Sequence, residues 1–427
     1  MVRGLESVDF IDISYLVVVS IVGGLARSLV GRLPYNWRLR LEARGPVFKP
    51  GWIWVQAVSV GEIILAEGIL GRLLDAGYRV HITTGTAAGL DLLEKRLPEW
   101  SRGGKLITGG GFPLDDGYGL EDFFRSPPGA FISLETEIWP NLLRELDIRG
   151  IRSYIVNGRL TRRSLHRGNI WMSKAVSRLS IVVARDEVSA QAFRRLGANN
   201  VVLGGNLKVD ISDVRPLHIG WESLRVAWAN SQIIIAGNTV DTEEELVLAA
   251  WKRARFAFPG LRLIIAPRQP SRFQLVANLL TANSLHFHRG SEGWPVDSKY
   301  WTSVDILLLD TMGELASAYG EGTIALVGGG WAWSGGHNPM EPVRWGLPTI
   351  IGPGYRNFED IVSPLLDVQL VQVVKKDTLA VAVINSLASA PLRPTACKNY
   401  PVNLPECLTG ALEKTWKTIK DVLPTPI

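Results

Sequence analysis

Short β-rich runs alternating with helical stretches, twice over, constrain this chain more than any other feature of it. Residues 52–60, 78–84, 131–134, 151–156, 180–184 and 201–203 read as strands, and the helical stretches between them end in glycines such as Gly77, Gly150 and Gly197. Strand, crossover helix and strand return to one parallel sheet through right-handed connections, which predicts a doubly wound α/β layer. The pattern lapses over residues 211–230 and begins again, with strands expected at 232–236, 261–266, 304–309, 323–327, 347–351 and 370–374. Helices are expected from Asp241, Ser271, Gly313, Asn338, Asn357 and Asp377, with Asp241 as an N-cap and Glu243 to Glu245 filling the first turn against the helix dipole. A chain of 427 residues is too long for one ordinary core. The expectation is two Rossmann-like domains, 46–210 and 231–427, joined by a linker at 211–230, with the cleft between them as the default ligand site. The last helix, near 408–422, is expected to pack back on the first domain.

The N-terminus, residues 1–45, reads differently. Residues 13–26, ISYLVVVSIVGGLA, are uncharged, and at about 1.5 Å per residue they reach roughly 21 Å, short of a ~30 Å hydrocarbon core. Arg27, Arg32, Arg38, Arg40 and Arg44 follow, with Tyr35 and Trp37 among them. An apolar run followed by basic and aromatic residues predicts a segment held in or on a membrane with the remaining chain on the cytoplasmic side; the competing reading is a first helix buried against the sheet. The net charge of +5 and pI near 9.2 suit anionic lipid, a phosphorylated substrate or nucleic acid without selecting one. No pattern of aromatics interleaved with basic residues points to nucleic acid. Cys397 and Cys407 have no metal-ligand spacing, and their scarcity suits a reducing compartment.

Several turns could carry chemistry. WIWVQAVSVGE, residues 52–62, runs a strand through a glycine turn into a helix and leaves Glu62 at the carboxyl edge of the sheet, where open α/β proteins bind ligands. A first-turn acid that only compensates the dipole is the competing explanation. Glu135 and Glu137 end another strand, and Lys208 leaves the last strand of the first domain. In the second domain Arg268 follows a strand, Glu314 lies in a strand-to-helix turn, and GGGWAWSGGHNPMEP, residues 328–342, leads to a helix start at Asn338 and Pro339. Free N–H groups there suit a phosphate and Glu341 suits ribose hydroxyls. The glycines form neither a Walker loop nor a dinucleotide fingerprint, and the chain lacks the Asp-x-Asp triplet that anchors a metal diphosphate.

Taken in order, SVGE (59–62), LETEIWPN (134–141), NGRLTRRS (157–164), GNLKVD (205–210), PRQPSRF (267–273), DTMGEL (310–315) and GGHNPMEP (335–342) resemble the 3-deoxy-D-manno-octulosonic acid (Kdo) transferases of lipopolysaccharide assembly. The resemblance implies a metal-independent GT-B glycosyltransferase with no cofactor. It would take Kdo from CMP-Kdo and join it to a lipid A precursor, lipid IVA, on the cytoplasmic face of the inner membrane. Domain 46–210 would serve the acceptor and 231–427 the CMP-sugar. Glu62 is then the proton acceptor, and Glu135 and Lys208 stabilise the transition state. CMP would be held by Pro267, Arg268, Met312, Gly313, Glu314, Asn338, Pro339, Met340 and Glu341. Gln56 and Gln269 stand where the family usually has histidine, the loop GNTVDTEE (237–244) lacks another, and Trp331 and Trp333 are additions. Two other classes stay open on the residues alone: a GT-B enzyme using a nucleotide diphosphate sugar, and a non-catalytic sugar-nucleotide binding protein at the membrane.

Overall fold

The computed structural model describes residues 10–46, 48, 51–160, 170–210, 217, 218, 220–390 and 403–426. Residues 161–164 of the NGRLTRRS motif, 211–216 of the expected linker and Cys397 lie outside these. The chain divides into two compact units, Met1–Ile211 with Thr409–Ile427, and Ser212–Leu408.

The first unit holds seven parallel strands: β1 (Ile53–Gln56), β2 (Val80–Thr84), β3 (Ile107–Gly111), β4 (Ala130–Leu134), β5 (Arg152–Gly158), β6 (Ile181–Ala184) and β7 (Val201–Leu203). They lie in the order β3-β2-β1-β4-β5-β6-β7, so the winding reverses between β1 and β4. β1 stops at Gln56, short of the expected Val60, because Ser59 already caps the helix Val60–Asp75. β3 escaped the sequence reading: its ITGGG carries three glycines, which lack the side chains from which strands are recognised. Gly77, Gly150 and Gly197 take positive φ at helix ends, which only glycine adopts without strain. The terminal helix Ala411–Lys420 belongs to this unit, so the second unit ends at Leu408 and not at the C-terminus. Asp210 Oδ2 accepts the Leu412 N–H at 2.6 Å and ties that helix to the GNLKVD turn.

The N-terminal helix Phe10–Ser28 is long and apolar enough to cross a membrane, and only 11% of its apolar window is buried. One side nevertheless docks on the unit. Asp12 pairs with Arg178 and Lys174, Tyr15 Oη donates to Asp115, and Arg27 forms a bidentate pair with Asp116. Gly23 permits the close approach, since a Cβ there would sit 2.2 Å from Asp116 Oδ2. The opposite side leaves Ile13, Val17, Val18, Ile21, Val22 and Leu25 exposed. One side of the helix is thus held by ionic and polar contacts, and the other is exposed.

The second unit repeats the layer with β8 (Ile233–Thr239), β9 (Arg262–Pro267), β10 (Phe287–Arg289), β11 (Ile306–Leu308), β12 (Ile324–Val327), β13 (Thr349–Ile351) and β14 (Val371–Val373). The order is β10-β11-β9-β8-β12-β13-β14, all parallel, and the reversal falls between β8 and β12. β10 is an additional short edge strand. Helices begin later than expected: Glu243 in place of Asp241, Leu315 in place of Gly313, and Met340 in place of Asn338. Asp241 is not the N-cap; Thr242 is, in the left-handed region at φ 69°, while Asp241 pairs with Arg272.

Candidate active site

The winding reverses between β1 and β4, the kind of place where open α/β sheets bind ligands at their carboxyl ends, and three expected residues lie near one another there. Ser59 accepts the Glu62 N–H at 3.4 Å, and Glu62 Oε2 turns back to accept the Val58 N–H at 2.6 Å. The SVGE turn is thus a variant of the capping box, one carboxylate oxygen holding the turn and leaving the other for chemistry. Burial pushes the Glu62 carboxyl up to about 7; the Val58 hydrogen bond opposes this, Glu137 and Glu135 add to it, and Lys208 relieves part. Desolvation outweighs the Val58 hydrogen bond, so Glu62 is a stronger base than an exposed carboxylate.

Glu135 follows β4 with φ at 55°, and its carboxylate accepts from Lys208 Nζ at 2.9 Å. Lys208 sits on a single turn, Leu207–Val209, fixed from two sides: Asn206 Oδ1 accepts its N–H, and Asn157 Oδ1 accepts that of Leu207. Asn157, at the end of β5, also has positive φ, and such strain concentrates at functional sites. Burial raises Glu137 above the ordinary carboxylate range, while the Trp139 indole donates to it at 2.8 Å and Arg40 lies 4.3 Å over that indole. Sequence reasoning missed Asp115. Fully buried, it accepts the Asn141 and Leu142 N–H groups and the Tyr15 hydroxyl, so it joins the start of the helix after LETEIWP to the N-terminal helix. Burial pushes it up to about 7. Nothing in PLDD marks such a role, because the partners are distant in sequence.

In the second unit the remaining expected residues lie at the carboxyl ends of β9, β11 and β12, which with β8 are consecutive in the sheet. Pro267 ends β9 and Arg268 follows it, exposed, its N–H on the Thr239 carbonyl and its guanidinium in no ion pair among the described residues. Met312 is 68% exposed, Gly313 has φ 89°, and Glu314 accepts from the Thr311 hydroxyl and, at 3.3 Å, from the Trp221 indole. Asn338 Oδ1 takes the Met340 N–H, Pro339 is the N-cap, and Glu341 lies in the first turn of a helix of only five residues, Met340–Arg344. A helix that short adds little dipole. Met340 is buried, its side chain in the core and its N–H already taken, and Pro267 is buried as well. His337 Nδ1 bonds the Gly328 carbonyl, and burial lowers its pKa, so the ring is neutral at pH 7.

The loop through these residues is organised by Glu243, which the sequence reading spent on the helix dipole. It is 1% exposed, and its two oxygens accept the N–H groups of Val240, Gly329, Trp331 and Ala332 at 2.7–3.1 Å. Gly328 must be glycine here, as a Cβ would meet Glu243 Oε2 at 2.6 Å. The neighbouring Glu244 takes a two-pronged bond from Arg272 of the PRQPSRF motif at 3.0 Å.

Residues 35–211 match the 3-deoxy-D-manno-octulosonic-acid transferase (kdotransferase) family. The 3-deoxy-D-manno-octulosonic acid transferase of Haemophilus influenzae is 33% identical over 330 residues, 75% of this chain and 75% of the relative. That of Bordetella pertussis is 31% identical over 334 residues, 75% and 76%. Among solved structures, a putative UDP-N-acetylglucosamine 2-epimerase from Listeria monocytogenes superposes with a TM-score of 0.57 over 88% of this chain and 99% of its own, at 10% identity, a likeness of fold alone. Two doubly wound units with these relatives place the fold in the GT-B class, and the chain belongs to the 3-deoxy-D-manno-octulosonic acid transferase family of glycosyltransferases.

Proposed function

We propose that this glycosyltransferase moves Kdo from CMP-Kdo to a hydroxyl of a lipid A precursor, lipid IVA, at the cytoplasmic surface of the inner membrane, with Glu62 as the general base. The observation that carries the reading is the half-buried Glu62 carboxylate, poised near neutrality at the β1/β4 reversal beside the Glu135–Lys208 pair. Glu62 takes the proton of the acceptor hydroxyl as its oxygen attacks the anomeric carbon. The bond from that carbon to the CMP phosphate breaks, and its electrons leave on the phosphate oxygen. Positive charge develops on the sugar and negative charge on the leaving phosphate. Glu135, held by Lys208, answers the first, and Arg268 the second. Arg268 does the work assigned to a metal ion in many sugar-nucleotide enzymes, and with no Asp-x-Asp triplet in the chain the reaction is metal-independent. Incubating the full chain with CMP-Kdo and lipid IVA, then weighing the product, tests the reading: a product heavier by one or more Kdo units supports it, and free Kdo with unchanged lipid defeats it.

The remaining CMP set is Pro267, Met312, Gly313, Glu314, Asn338, Pro339 and Glu341, with Met340 as packing beneath them. Arg268→Ala is expected to weaken CMP binding by about 1.5–3 kcal/mol, the worth of a charge-assisted hydrogen bond. Calorimetry with CMP measures it, and an unchanged affinity would remove Arg268 from the site.

The lipid acceptor accounts for the N-terminal helix. Its ionic contacts run from Asp12 to Arg27, about 22 Å of helix at ~1.5 Å per residue, along one side of a folded unit. A helix pinned so along its length lies in the membrane interface and does not cross the bilayer. Replacing Val17, Ile21 and Leu25 together with serine is expected to release the protein from anionic vesicles in flotation assays while melting stays within a few degrees of wild type. Unfolding of that variant would mean that the exposed face is core.

A further inference from the structure

Trp333 is out of place as a packing residue. Trp54, Trp221, Trp228, Trp251 and Trp301 are fully buried, and Trp331, two residues away, is locked in with its indole donating to the Val374 carbonyl at 2.8 Å. Trp333 is 51% exposed; among the described residues only Trp37, in the basic and aromatic stretch after the N-terminal helix, is also an exposed tryptophan. The exposure is built. The indole lies on Gly335, where a Cβ would meet its ring at 2.2 Å, so glycine at 335 makes room for a ring laid on the backbone. Glu243 fixes the N–H groups of Trp331 and Ala332, the two residues before Trp333, and the Trp333 carbonyl packs on Gly354. The His337 ring lies 6.1 Å away, directly before Asn338. Trp333 thus lies in the loop between β12 and the NPME turn, its ring laid on Gly335 and half exposed to solvent.

We propose that Trp333 is the platform on which the pyranose ring of the transferred sugar lies, which makes it a donor-specificity residue. This rests on the functional reading above. Rigid aromatic faces bind weakly polar C–H surfaces through their electron-rich π system and give up little conformational freedom in doing so. A 3-deoxy sugar suits such a face better than a fully hydroxylated one, because the CH₂ at position 3 leaves part of the ring without a hydroxyl. Nucleotide groups are met elsewhere on the edge, by Arg268 and the turn at Asn338, so the indole contributes to sugar and not to CMP affinity.

Four full-length proteins test this: wild type, Trp333→Ala, Trp333→Phe and Gly335→Ala, the last keeping the tryptophan while its new Cβ displaces the indole. CMP affinity by calorimetry, the KM for CMP-Kdo and the melting temperature are measured on each. Trp333→Ala and Gly335→Ala are expected to raise the KM for CMP-Kdo roughly tenfold, the scale of losing one ring stacked on an aromatic side chain, with CMP affinity within about twofold of wild type. Trp333→Phe should recover most of the loss. An unchanged donor KM in Trp333→Ala, or CMP affinity falling in parallel with it, overturns the assignment while leaving the Kdo transfer reading standing. Wild-type protein that neither binds CMP nor consumes CMP-Kdo overturns that reading and this inference with it.

Discussion

Glu62→Gln is expected to lower turnover by about 10²–10⁴ at saturating substrates while CMP affinity and the fold persist. Glutamine keeps an oxygen for the Val58 N–H, which holds the turn, and cannot take a proton from the acceptor hydroxyl. Steady-state rates with CMP-Kdo and lipid IVA measure the effect; turnover within about threefold of wild type would move the base elsewhere, with Glu135 next to test. The same residue shapes the pH dependence. A base must be ionised to act, so kcat/KM should rise with pH and pass half-maximum near 7, where burial places the Glu62 carboxyl. Stability runs the other way. The folded-state pKa lies above the unfolded one, so between about 4.5 and 7 the native state holds more protons, and stability falls as pH rises through that window. Asp115 acts in the same direction, from 3.8 to about 7, while buried His81, lowered from 6.5 to about 4, acts against them. Glu62→Gln should therefore melt higher than wild type at pH 8 while being far slower, since it removes a charge that is costly to keep in a half-buried site.

The second large effect is expected at Glu243. Truncation to alanine leaves the N–H groups of Gly329, Trp331 and Ala332, and that of Val240, without their acceptor beneath the glycine loop. Each buried donor left unpaired costs about 1–3 kcal/mol, less where water enters the space vacated. A total of about 3 kcal/mol or more is expected, or a melting decrease of roughly 6–12 °C for a unit of this size. Calorimetry of the full chain measures it. Glu243→Gln should fall between, since its amide nitrogen meets N–H donors with the wrong polarity. A variant melting within 2 °C or so of wild type would show that water satisfies the loop as well as the carboxylate does.

Local pattern carried much of the architecture. Alternating strand and helix signals, glycine caps at Gly77, Gly150 and Gly197, and the order of the turn motifs were readable because each depends on residues a few positions apart. Strands without a signal, such as glycine-rich β3, were not readable, because neighbouring strands supply the pairing that their own side chains do not specify. The same division runs through the site. SVGE and HNPME announced where chemistry could sit. The raised pKa of Glu62, the Glu135–Lys208 pair, the Asp115 link to the N-terminal helix and the Glu243 clamp arise from groups tens of residues apart in the chain. The N-terminal helix shows the limit most plainly. Its composition determined a helix long and apolar enough to cross a membrane. Which side meets the folded unit was decided by Arg178, Lys174, Asp115 and Asp116, because charge pairing depends on three-dimensional distance and leaves no period in the sequence.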